Sequence, residues 1–313
     1  MLELRDVPAP TPSRGEVRVR VRATAINRAD LLQRMGLYPA PPGDPPDIPG
    51  LELAGEVDAL GGGVQDLAIG DRVFGLVGGG AYAEQVVVHE RALARIPHGM
   101  GFEQAAAVPE AAVTAYDAMV VQAGLSAGDT LLVHAVGSGV GTMAVQIARA
   151  IGATSIGTAR SAAKLERARA LGLAHGVLPE AGAFADRVLA LTAGRGADVI
   201  LDLVGGSYVA EDARCAAVLG RILVVGLVGG RAANVDLSLV LRRRLRVLGT
   251  ALRGRPLEEK IAAGQLLARR IAPLLASGAV APVVDRVLSL DQAALGHEAL
   301  HAADTFGKIV LVP

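Results

Sequence analysis

Cysteine is nearly missing from this chain of 313 residues: Cys215 is its single example, which excludes an internal disulfide and cannot supply a cysteine-rich metal site. Net charge is missing too. The 31 Lys and Arg balance the 31 Asp and Glu, which leaves no global field for nucleic acid or an anionic membrane. Hydrophobic residues reach 51% and mean hydropathy is +0.42, yet no apolar run attains the roughly 18 to 20 residues that a spanning helix requires. The apolar positions are mostly Ala, Val and Leu within alternating strand-like and helix-like segments, so a large core is expected. The start, Met1-Leu-Glu-Leu-Arg, lacks the basic-then-apolar form of a secretory signal, which makes the cytoplasm the expected compartment. The one basic run, Arg242-Arg-Arg-Leu-Arg246, reads as a solvated helix end, and Cys215 beside Ala216, Ala217 and Val218 reads as a buried small hydrophobe.

What is present is concentrated in Thr130-Leu-Leu-Val-His-Ala-Val-Gly-Ser-Gly-Val-Gly-Thr-Met-Ala-Val-Gln-Ile-Ala-Arg149. It reads as strand, tight turn, helix. Such a turn, here Gly137-Ser138-Gly139-Val140-Gly141, lets backbone N–H groups and the positive end of a helix face a phosphate. Strand-like runs follow at 154–159, 197–203, 221–227 and 246–252, separated by helix-like segments at 164–171, 185–192 and 208–219, a βαβ series with a parallel sheet. A dinucleotide is therefore the expected ligand. An NAD site would place an acid about 20 residues past the glycines to hold the ribose 2′-OH. That place reads Thr158-Ala159-Arg160-Ser161, with Lys164 one turn on. Arg160 and Lys164 suit a 2′-phosphate through charge-assisted bonds, Ser161 adding a hydroxyl, so NADPH is expected over NADH.

The N-terminal third differs. Val17-Arg-Val-Arg-Val-Arg-Ala alternates with period two, as a half-buried antiparallel strand does, and Pro- and Gly-rich segments recur at 39–49 and 61–63. After Leu252 come a long helix-like segment at 257–275, a strand-like run at 283–290 and the terminal strand Lys308-Ile-Val-Leu-Val312, which is expected to return to the N-terminal domain.

Five blocks, Asn27-Arg-Ala-Asp-Leu-Leu-Gln-Arg-Met-Gly-Leu-Tyr38, Pro49-Gly-Leu-Glu-Leu-Ala-Gly55, Gly70-Asp-Arg-Val-Phe-Gly75, Ala105-Ala-Ala-Val-Pro109 and Phe306-Gly-Lys-Ile-Val-Leu311, resemble the medium-chain dehydrogenase/reductase superfamily, and within it the zinc-free NADPH:quinone oxidoreductases, zeta-crystallin-like proteins. The resemblance covers nearly the whole chain. It implies an α/β protein in which a Rossmann doubly wound parallel-sheet domain (112–252) is inserted in a GroES-like, mainly β catalytic domain (1–111 and 253–313), with a substrate cleft between them and a homodimer joined through edge strands. Relatives commonly begin with a further hairpin before the Leu-Glu-Leu equivalent, and many carry glycine at the place of Ser138.

The resemblance also bears on metal. Relatives that use zinc have Cys at the place of Asn27 and His-Glu after the glycine of the Pro-Gly block, where this chain has Leu51-Glu52. A catalytic zinc needs three protein ligands, so no metal is expected, and His297 and His301, spaced i,i+4, lack a third partner. The chemistry then rests on hydride transfer and on oriented hydrogen-bond donors. Asn27 and Tyr38 are the candidate donors to a carbonyl oxygen that gains charge. Asp30 is expected to orient neighbours or cap the following helix. Thr114, Leu203, Gly226, Leu227, Val228 and Lys308 join the turn residues as candidate cofactor contacts. Three functions stay open: reduction of quinones, reduction of an activated alkene such as an enone or enoyl thioester, and a non-enzymatic NADPH-binding protein.

Overall fold

The computed structural model describes residues 2–313. Two compact units emerge: the first runs through Val113 and includes Leu252–Gly278 and Pro282–Pro313, and the second is Thr114–Ala251 with Ala279–Ala281.

The first unit is built on a seven-stranded sheet of β1 (Glu16–Ala25), β2 (Glu52–Leu60), β3 (Arg72–Leu76), β4 (Gln85–His89) and β5 (Leu93–Arg95), to which the C-terminal part of the chain contributes two more strands. The period-two alternation of β1 does what it predicts: Val17, Val19 and Val21 are buried in one core, while Arg18 and Arg22 point away and pair with Asp58 and Glu56 on β2, each at 2.7 Å. Residues 2–15 hold no strand.

The second unit carries β6 (Thr130–Val133), β7 (Thr154–Thr158), β8 (His175–Val177), β9 (Ala197–Asp202), β10 (Ala216–Val224) and β11 (Arg246–Gly249) in the order β11-β10-β9-β6-β7-β8, all parallel. Every residue of β6 is buried, as a strand covered on both faces must be. The strand order reverses beside β6, so the crevice outside the carboxyl ends of β6 and its neighbours is where such a sheet takes a ligand. The two strands completing the first sheet are β12 (Val284–Ser289) and β13 (Lys308–Val312), and β13 pairs antiparallel with β1. The chain end does return to the sheet of its N-terminal part.

Two boundaries differ from the sequence reading. The helix expected over 208–219 stops at Cys215, because Ala216 turns extended and pairs with Ala197 of β9, its carbonyl held by Arg243 at 2.5 Å. Tertiary pairing overrides the helical leaning of an alanine-rich segment. The long helix at 257–275 is helical throughout, but Leu267–Ile271 widens to a π turn between Leu257–Leu266 and Ala272–Ala276. Pro273 lacks an N–H and its ring crowds the carbonyl one turn back, which shifts the ladder. The basic run is a helix end, Leu237–Arg243 stopping at the left-handed Arg244, and Cys215 is fully buried. Among the described residues no helix is long and apolar enough to cross a membrane.

Candidate functional site

The nucleotide turn of the second unit begins as β6 ends. Ala135 takes a left-handed conformation (φ 50°), Val136 donates to Thr158 at 3.0 Å, and Ser138 caps the helix Gly139–Ile151, its Oγ accepting the N–H of Gly141 at 3.0 Å. The Ser138 side chain is thus spent on the cap. Gly141 is required for packing: a Cβ there would lie 2.4 Å from the carbonyl oxygen of Ala135. The first turn of this helix is free of acidic residues, which leaves its positive end available to a phosphate.

No carboxylate stands at the end of β7. Arg160 is exposed there, Ser161 caps the helix Ala162–Ala170 by accepting the N–H of Lys164 at 3.4 Å, and Lys164 is partly buried. At the ends of β9 and β10 the turns 203–206 and 226–230 lie backbone against backbone, with Gly229 donating to Val204 at 2.7 Å. A Cβ on Gly226 would come within 2.4 Å of the Leu203 carbonyl. Asp202 fixes its own turn by accepting the N–H groups of Val204 and Gly205 at 2.7 and 2.9 Å. Leu227 and Val228 expose their side chains beyond it. Thr114 is buried in the helix Pro109–Tyr116.

The first unit holds a closed ionic cluster. Lys308, 5% exposed at the start of β13, donates to the carbonyl of Ile26 (3.0 Å), to Asn27 Oδ1 (2.5 Å) and to Glu52 Oε1 (2.7 Å). All three of its hydrogens are used. Asn27 in turn donates to the carbonyl of Ala25 (3.2 Å) and to Glu52 Oε1 (2.8 Å), so both its amide hydrogens are engaged. Glu52 Oε2 accepts the N–H of Glu110 (2.8 Å) in the first turn of the helix Pro109–Tyr116, where a helix N-terminus favours negative charge. Asp30 performs the orienting role expected of it: it accepts from the backbone of Asn27 (2.8 Å) and Gly50 (3.1 Å) and from the Tyr82 hydroxyl (3.2 Å), while burial pushes it up to about 6. The Tyr82 oxygen meets His297 Nε2 at 3.1 Å, and His297 Nδ1 has no partner. A tyrosine that donates to Asp30 needs a donor at Nε2, so His297 is the Nε2–H tautomer, and burial pulls its pKa down to about 4.

Tyr38 lies apart from this cluster. Its carbonyl accepts from buried Arg253 (2.9 Å), whose guanidinium stands 5.3 Å from the ring centre, and its hydroxyl makes no hydrogen bond among the described residues. Arg253 also donates to the carbonyl of Gly78 (2.7 Å) and to Gln33 Oε1 (2.6 Å). Burial, with Glu110 second, raises the Tyr38 hydroxyl above the ordinary tyrosine range. The structure therefore joins Asn27 and Lys308 directly. Glu52, Glu110 and Arg253, which sequence reasoning did not single out, complete the surroundings. A signal existed for the first: Leu51-Glu52-Leu53 and Gly307-Lys308-Ile309 each put one charge in an apolar run, and a buried charge demands its opposite.

A parallel nucleotide-type sheet in one unit and a β-rich fold with its own polar site in the other are the build of a two-domain oxidoreductase. The alcohol dehydrogenase GroES-like domain model matches residues 13–98 and the zinc-binding dehydrogenase model residues 139–269. A quinone oxidoreductase of Pseudomonas aeruginosa is 35% identical over 100% of this chain and 96% of its own length. The crystal structure of Escherichia coli quinone oxidoreductase complexed with NADPH is 30% identical, with a TM-score of 0.85 over 99% of this chain and 95% of that one. A mycocerosic acid synthase-like polyketide synthase of Mycobacterium tuberculosis is 33% identical over 96% of this chain, which spans 14% of that protein. The chain belongs to the medium-chain dehydrogenase/reductase superfamily.

Zinc, which the second model's description implies, does not fit the residues present. Leu51 is hydrocarbon, the Asn27 amide is fully engaged, and the Lys308 ammonium already neutralises Glu52. Among the described residues one set of His, Cys, Asp and Glu brings three ligand atoms together, His134, Asp202 and Asp212 in the second unit. His134 Nε2 is held by Asp212 Oδ1 at 2.7 Å, and Asp202 Oδ1 by its own turn.

Proposed function

We propose that this chain reduces quinones, or closely related conjugated carbonyl compounds, with NADPH and without zinc. The observation that carries the reading is full-length likeness to quinone oxidoreductases in a chain where Arg160, rather than an acid, follows β7. Bound NADPH supplies the hydride from its nicotinamide. The chain's own residues bind and orient. The 137–141 turn and the helix after it hold the pyrophosphate; Arg160, Ser161 and Lys164 hold the 2′-phosphate; Leu203 lies toward the adenosine side, and Thr114, Gly226, Leu227 and Val228 shape the nicotinamide side. Lys308, with no hydrogen to spare, keeps Asn27 and Glu52 in register instead of reaching for the cofactor. Asn27 serves the same frame, which leaves the Tyr38 hydroxyl as a donor to the acceptor oxygen. Exposed Leu237, Leu241 and Val247 on and beside the edge strand β11 support a homodimer through that edge.

The likeness to a polyketide synthase favours one second reading, reduction of an activated alkene. NADPH absorbance followed with an ortho-quinone, a para-quinone and an enone, after extensive chelation, separates the two. Quinone-dependent oxidation with no stoichiometric zinc is expected. Oxidation by the enone alone selects the second reading, one tightly held zinc per chain overturns zinc independence, and binding without turnover leaves a non-enzymatic NADPH-binding protein. Tyr38→Phe should cost about 1 to 2 kcal/mol, roughly 5- to 30-fold in kcat/KM, because a quinone spreads its charge and leans little on one donor.

A further inference from the structure

Glu110 carries a carboxyl group in the first unit that its neighbours leave uncommitted. Its backbone N–H serves Glu52, but its carboxyl makes no hydrogen bond among the described residues. It lines a cavity of about 30 Å³ bounded by the hydrocarbon of Leu51, Val77 and Leu252 and by Arg253, room for a carbonyl group or one to two waters. Among the other polar groups that line it, Arg253 is spoken for by Gly78, Tyr38 and Gln33, and Lys260 reaches Asp44 at 3.3 Å; Lys308, whose charge Glu110 also feels, donates all three of its hydrogens elsewhere. A hydride delivered to a conjugated carbonyl leaves an oxygen carrying negative charge, and a proton must follow.

We propose that Glu110 is the catalytic acid, handing its carboxyl proton to the acceptor oxygen in that cavity. The proposal rests on the reading of the chain as an NADPH-dependent reductase of conjugated carbonyls. Two electrons and one hydrogen reach the acceptor as hydride from the reduced dinucleotide. The second hydrogen arrives as a proton: the Glu110 O–H bond breaks, the acceptor O–H bond forms, and the carboxylate regains a proton from solvent water. With an enone the product of this step is the enol, which tautomerises afterwards. The surroundings suit the role. Burial first and the neighbouring Glu52 carboxylate second raise Glu110 to about 8, Asp30 pushes the same way, and Lys308 and Arg253 pull against them; Arg255 and Lys260 line the same cavity. The acid therefore keeps its proton at neutral pH, which is what a general acid needs.

Glu110→Gln keeps the volume and removes the acidic proton. With a para-quinone, wild-type kcat/KM should fall about tenfold per pH unit above about 8, whereas the variant should be at least about tenfold slower at pH 7 and lack that limb. Glu110→Asp should restore an alkaline limb. A readout independent of turnover is the infrared carboxylic-acid band of the protein without NADPH, which should vanish with a midpoint near 8 in the wild type and be missing from the Gln variant. NADPH affinity should not move. If the wild type turns over neither quinone nor enone, the functional reading fails and this proposal with it. If it turns over and Glu110→Gln keeps both rate and limb, the proposal fails alone. A Gln variant that does not fold leaves the decision to the infrared titration and the Asp variant: a band absent at pH 7, or an Asp variant without the limb, overturns the assignment.

Discussion

Each unit buries one cluster of charge, and the two are solved differently. In the first, Lys308, Glu52 and Asn27 close on one another with opposite charges and no donor left over. In the second, His134 bridges Thr158 (2.9 Å) and Asp212 (2.7 Å), packed against Phe184 and Tyr208 at ring distances of 4.7 and 4.9 Å, while Asp202 and Asp212 each keep an oxygen without a partner. No lysine or arginine enters, and burial raises Asp212 to about 6. A lysine can thus take over the work a metal would do among oxygen ligands. Without one, a carboxyl lowers its cost by holding on to a proton.

Breaking the first cluster should give the largest effect. Lys308→Met strands the Glu52 charge at 0% exposure, and loss of one partner of a buried pair typically costs about 3 to 5 kcal/mol. Denaturant unfolding should show that loss, and adding Glu52→Gln should recover part of it, since the uncompensated charge is then gone. A single variant as stable as the wild type would overturn the role of Lys308 as the partner that holds Glu52 in the fold.

The second unit can be tested at its surface, where the effect should be smaller. Replacing Arg160 and Lys164 together by Ala should remove a preference for NADPH over NADH of at least about tenfold, roughly 1.4 kcal/mol, with NADH affinity little changed. Titration of the wild type showing equal affinities would overturn the role of both side chains.

The second unit was the more legible of the two. Its βα series shows in runs of Val, Leu and Ile broken by glycines, and Ser138 and Ser161 announce their helices as capping residues do. Local chemistry sets these features, so local sequence carries them. The ionic cluster is joined across 256 residues, from Glu52 to Lys308, and no periodicity spans that distance. Asn27 was visible as a polar residue at a strand end, yet that its amide is engaged on every side depends on Glu52 and Lys308 arriving together. Glu110 looks like an ordinary first-turn acid of a helix, and only the cavity beside it gives it a task. The end of the 208–219 helix was hidden for the same reason, since Ala197 rather than any local breaker stops it.

Asp212→Asn bears on the second cluster directly, through a difference that appears only as pH changes. The native carboxyl is raised from 3.8 to about 6, so its contribution to stability is fully present below about 4 and is lost as pH rises through about 6. Asn keeps an oxygen for His134 and can turn its amide toward the unpartnered oxygen of Asp202, without a proton to lose. Melting curves of wild type and variant should therefore diverge between pH 4 and 7, the wild type losing on the order of 1 to 3 kcal/mol that the variant keeps. At neutral pH the variant should be at least as stable as the native protein. Parallel curves would mean that the Asp212 carboxyl does not titrate between pH 4 and 7 and would overturn the raised pKa.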